Sequence, residues 1–152
     1  MISTFLPIKT LIEQDMKVSA SHYMKILFLL ECVWRKKSDS PLFDDNFVIN
    51  NNGVECEDFR KKTFVFCKNS ATLINEPILN EINDIIWLNA IPEGDPSKMT
   101  WISKGIVKLK THMHSDLIAI IQTNKVFRDL HDPDEHHQMK HVDFLNFVNN
   151  WQ

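Results

Sequence analysis

Apolar residues recur at helical spacing along most of this chain. The clearest stretch runs from about Ala20 to about Lys36, where Tyr23, Ile26, Leu27, Leu30, Val33 and Trp34 fall at i, i+3, i+4 and i+7 intervals. Phe28, Leu29 and Cys32 widen that apolar arc, so the helix is expected to be surrounded by other elements. Ser19 or Ser21 can cap its start by accepting a hydrogen bond from a free backbone N–H. Arg35, Lys36 and Lys37 suit the negative end of its dipole. Lys25 interrupts the apolar run and is expected along the core rim, with its ammonium in water.

The remaining pattern predicts shorter elements. Phe5, Ile8, Leu11 and Ile12 predict a helix over 4–14. Leu42 to Ile49 reads as a strand, Asn50-Asn51-Asn52-Gly53 as a turn, and a helix restarts near Glu55, with its acids at the positive end. Residues 63–69 are β-prone. A helix is predicted over 77–90, and Ser97 can cap a helix or turn holding Met99 and Trp101. Residues 105–111 alternate apolar and basic, which suits a strand or an exposed helical turn. Two further helices are predicted, from about Ser115 to Leu130 and from about Asp134 to Trp151. The fold class is therefore mainly α within α+β, a compact helical domain with a small two- or three-stranded sheet. At 152 residues the length suits one domain.

Composition narrows the function. Lys plus Arg number 17 against 20 Asp plus Glu, a net charge of −3, which makes nucleic acid an unlikely target. If the partner is a protein, this acidity favours a basic one. No apolar run is long enough for a membrane helix, and Glu13 and Asp15 interrupt what a signal peptide would need. The cysteines at 32, 56 and 67 form neither a disulfide framework nor a zinc ribbon, so free thiols in a reducing cytoplasm are expected. With three glycines there is no phosphate-cradling loop.

Candidate chemistry is sparse. His131, Asp132, Asp134, Glu135, His136, His137 and His141 cluster in sequence, and on one helix His137 and His141 would face one metal. The HExxH glutamate is absent, and the plain alternative is a polar helix start. Cys32 lies in an apolar helix and Cys56 among acids, both dulling a thiol. No nucleophile elbow is present. The expectation is a protein that is not an enzyme and carries no cofactor. Its many aromatics, Phe43, Phe47, Phe59, Trp87, Trp101 and Trp151 among them, supply core and some interface anchors.

Ser19, then Lys25-Ile26-Leu27-Phe28, then Pro41-Leu42-Phe43-Asp44-Asp45, then Asn52-Gly53-Val54 follow one another in an order that resembles the Panacea domain, the phage-associated family of SocA-like antitoxins. The resemblance spans residues 18–62. The proline that follows the glycine in that family is absent here, and about 105–152 diverges. The resemblance implies a compact helical domain with a small sheet that binds and neutralises a toxin protein without catalysis. Lys25, Phe43, Asn52, Gly53 and Val54 are its motif or partner-binding positions, and Lys25 would fix the turn. Two alternatives stand beside it: a phage-encoded inhibitor of a host defence enzyme, and a metal-binding enzyme using the 131–141 histidines.

Overall fold

The computed structural model describes residues 1–63, 73–74 and 95–151. Among them the chain forms seven helices and a three-stranded antiparallel sheet, an α+β fold dominated by helix. In chain order these are α1 (Ile8–Glu13), α2 (Ala20–Ser38), β1 (Phe47–Asn50), β2 (Gly53–Cys56), α3 (Glu57–Thr63), α4 (Pro96–Leu109), α5 (His114–Gln122), α6 (Lys125–Leu130), β3 (His137–Gln138) and α7 (His141–Asn149).

Helix α2 is the axis of the core. The Ser19 hydroxyl accepts the His22 N–H at 3.0 Å, and Asp39 ends the helix in the left-handed region at φ 55°. Every residue from Tyr23 to Cys32 is buried. The sheet and α7 cover one side of it. Phe28 packs against Phe47 of β1 and against Phe144 and Phe147 of α7, with ring centroids 4.9 to 6.1 Å apart. Helices α4 and α5 pack on α2 as well.

Strand β1 is central, with sheet order β2-β1-β3. Asn50 pairs with Gly53, so Asn51 and Asn52 form a two-residue hairpin loop. Gly53 has φ +98°, a backbone conformation that side chains disfavour. The Asn50 side chain accepts the Asn52 N–H at 2.8 Å and closes the turn.

Several expected boundaries shift, each for a tertiary reason. The strand begins at Phe47, because Leu42 and Phe43 donate their N–H groups to the buried Glu31 carboxylate at 3.0 and 3.1 Å. The next helix begins at Glu57, because Glu55 and Cys56 pair with β1. Asp45 serves that helix as its cap, accepting from the N–H groups of Asp58 and Phe59. Asp95, rather than Ser97, caps α4, and its first residue is Pro96. Residues 105–109 are helical, not a strand. The helix expected over 115–130 is two, split where the Asn124 side chain caps α6 and donates to the Phe147 carbonyl at 3.0 Å. The helix expected from Asp134 begins only at His141, because His137 and Gln138 pair with Ile49 and Val48. The short first helix spans Ile8–Glu13 alone. Residues 64–69, the helix expected over 77–90, Cys67 and Trp87 lie outside the described residues.

Candidate functional site

A groove of about 510 Å³ runs between α2 and α4. From α2 come Leu29, Leu30 and Val33; from α4 come Trp101, Lys104, Gly105, Lys108 and Leu109. The α4 residues sit at i, i+3, i+4, i+7 and i+8, which places them on one helix face. Gly105 allows the helices to approach: a Cβ there would lie 2.5 Å from Leu30 Cδ2. His112 and Trp151 complete the lining. Val33 is 37% exposed and Lys104, Lys108 and His112 are exposed, so the groove faces solvent.

Its electrostatics are one-sided. None of the lining residues is a carboxylate. Trp101 packs edge-on against Trp34 at 5.2 Å. Lys37 lies 5.8 and 5.9 Å from the centroids of those two rings, and Lys98 lies 5.6 Å from that of Trp34. Lysines therefore border an apolar floor in a chain whose overall charge is negative.

The resemblance motif lies elsewhere. Lys25 is only 4% exposed, which corrects the expectation of a solvated ammonium. Its Nζ donates to the Ser21 hydroxyl at 2.9 Å. It also rests against the hairpin, 3.9 Å from where a Gly53 Cβ would stand. Burial lowers its pKa and the nearby Glu55 opposes that shift. Phe43 and Val54 are buried in the core. Asn52 is exposed at the turn. The structure brings Lys25 and Gly53 together, buries Phe43 and Val54, and presents Asn52 alone to solvent.

The two histidines proposed for a metal do not share a helix face, because His137 is in β3 and His141 opens α7. A carboxylate only accepts, so His137 Nε2 donates to Asp143 at 3.1 Å. Arg35 only donates, so His141 Nδ1 accepts from it at 3.1 Å, and His141 Nε2 donates to Asp39 at 2.7 Å. Among the described residues no group of three or more His, Cys, Asp or Glu is placed to hold a metal ion. Burial pushes the Cys32 and Cys56 thiols up, away from the reactive thiolate.

Two features escaped the sequence reading. Glu31 is fully buried; it accepts from Arg35 Nε at 2.9 Å besides the two backbone donors. Arg35 lies 4.2 Å over the Phe144 ring. Its only sequence signal is the i,i+4 pairing of Glu31 with Arg35. The second feature is a stack of His22 on His114, with centroids 5.0 Å apart. The Nε2 of each is buried with no hydrogen-bond partner among the described residues. Burial, with His114 and Lys25 nearby, lowers the His22 pKa to about 4. Burial and Lys25 lower that of His114 as well.

No protein-family model, curated protein or solved structure matches the chain.

Proposed function

We propose that this protein is an antitoxin-like interaction module that binds and neutralises a protein partner by occlusion, without catalysis. The observation that carries the reading is the solvent-facing apolar groove between α2 and α4, flanked by Trp101 and Trp151. Tryptophan-lined apolar clefts are where partner side chains anchor, since burying such surface yields most of the association energy. The order of the Ser19, Lys25, Pro41 and Asn52-Gly53-Val54 motifs supports the antitoxin class. Much of the titratable chemistry described above serves the fold: Glu31 pins a loop and Asp45 caps a helix. The module acts in a reducing cytoplasm, where the unpaired thiols of Cys32 and Cys56 persist. No helix of the described residues is long and apolar enough to cross a membrane.

The test is a tagged pull-down of the full chain from its native host, with intact mass of what co-elutes. The expected result is a small stoichiometric protein that arrests growth when expressed alone and is silenced by co-expression of this chain. A host defence enzyme in its place would replace the antitoxin reading with that of an inhibitor. A chain that elutes without any protein partner would remove both.

A further inference from the structure

We infer that the α2–α4 groove receives one amphipathic helix of the partner, and that the polar face of this helix is acidic. The inference rests on the interaction reading and specifies the partner's chemistry. Two helices held close by Gly105 leave a furrow that a third helix fills with apolar anchors at i, i+3, i+4 and i+7. Over the buried Leu29 and Leu30, the floor offers Val33 and Leu109 to those anchors, and Trp101 and Trp151 flank them.

The charge comes from the rim. Lys104 and Lys108 stand one helical turn apart, about 6 Å along the axis. Carboxylates one turn apart on a docked helix match that spacing. Lys37 and Lys98 add positive charge at the Trp34–Trp101 end, and no lining residue opposes it. The lysine stems also extend the apolar wall while their ammonium groups reach the partner's rim. The net charge of −3 points to a basic partner, whereas this groove selects an acidic one. Nucleic acid fits the groove less well. Its floor is apolar, and a second basic run, Arg60-Lys61-Lys62, pairs Arg60 with Glu55 and Lys61 with Glu57.

A second observation falls on this side of α2. The three buried side-chain nitrogens without partners among the described residues are those of His22, Trp34 and His114. Trp34 packs on Trp101 of α4, and His22 on His114 of α5.

Three peptides of about 18 residues test the inference. They share one Leu-rich face and carry Glu, Gln or Lys on the other. Each is titrated into the full-length protein, read by calorimetry and by the indole N–H signals of Trp101 and Trp151. The Glu peptide is expected to bind about tenfold more tightly than the Lys peptide at low salt. The gap narrows at ~0.15 M salt, and both indoles shift. In K104E/K108E the order of the Glu and Lys peptides reverses. Both lysines are exposed, and K104Q/K108Q, in which the order is merely lost, serves if charge reversal perturbs the fold. The inference is overturned if no peptide moves the indoles, if the Glu and Lys peptides bind alike, or if their order survives in both variants. It is also overturned if a single-stranded oligonucleotide outcompetes the Glu peptide, or if a second copy of the chain already fills the groove. A captured partner whose hydrogen-exchange footprint lies off the groove overturns this inference and leaves the interaction reading intact. Specific groove binding by a chain that captures no protein does the reverse.

Discussion

Helix α2 has two sides built on opposite terms. Toward the sheet and α7 it is sealed. Glu31, Arg35, His141 and Asp39 form a chain of hydrogen bonds, and Phe28, Phe43, Phe47, Phe144 and Phe147 pack on one another beside it. Toward α4 and α5 it is unfinished. There lie an open groove, a partly exposed Val33 and the nitrogens of His22, Trp34 and His114, which have no partner among the described residues. The sealed side holds the fold together by giving the buried Glu31 carboxylate three donors, from Arg35, Leu42 and Phe43. The open side retains solvent-facing apolar surface, which is where binding energy is still to be gained. Substitutions on the two sides should therefore separate stability from binding.

The largest effect is expected at Glu31. Glu31→Ala strands Arg35, whose side chain is 12% exposed, and removes the acceptor for the N–H groups of Leu42 and Phe43. The expected loss is about 3–5 kcal/mol of unfolding free energy, measured by urea denaturation. Peptide affinity of the folded fraction should not change. A loss below about 1 kcal/mol would mean that the carboxylate is not what seals this side.

Gly53→Ala comes next. A Cβ at Gly53 would meet Lys25 only at 3.8 Å, so crowding is not the difficulty. The φ of +98° is. A cost of about 1–2 kcal/mol is expected. A neutral result would show that the hairpin turn can relax away from the positive φ at this position.

These two sites also mark what the chain reveals before folding. Helix α2 and the 50–53 turn are legible because their signals are local: a capping serine, a 3.6-residue period, and Asn next to Gly. Strand β3 is not, because His137 and Gln138 are extended only through pairing with β1. The break at Asn124 is hidden in an apolar period and made by a bond to Phe147, 23 residues away. Glu31 looks like one polar position between Leu30 and Cys32, and its partners sit on a loop yet to be placed. The groove was the least legible feature. Lys104, Lys108 and Leu109 read as alternation until α4 turns them onto one side and Gly105 brings α2 against them.

On the open side, pH gives a smaller effect with a definite sign. The folded state holds His22 near pKa 4, below its ordinary 6.5, so it binds fewer protons than the unfolded chain between those values. Stability is therefore lost as pH falls from about 6.5 toward 4, and His114 acts in the same direction. Glu31 and Asp45, raised by burial, oppose this loss because the folded state protonates them more readily. His22→Leu isolates the histidine. It should be stabilising by about 1 kcal/mol at neutral pH, since it removes a buried nitrogen that has no partner among the described residues. The difference in melting temperature from wild type should widen on acidification. A constant difference across that window would mean that His22 titrates alike in the folded and unfolded chain.

The smallest stability effect, and the sharpest contrast with Glu31, is expected at Val33. It sits four residues after Leu29 on the groove floor and is 37% exposed. Val33→Ser removes little buried area, so its unfolding free energy should lie within about 0.5 kcal/mol of wild type. The same change places a hydroxyl where a partner's anchor would desolvate it. Affinity for the Glu peptide should fall by about three- to tenfold, with the Glu-over-Lys preference retained, because the rim lysines are untouched. A loss of preference along with affinity would place the charge selection at the floor instead of the rim. Unchanged affinity would move the anchor off α2, toward Trp101 and Leu109 on α4.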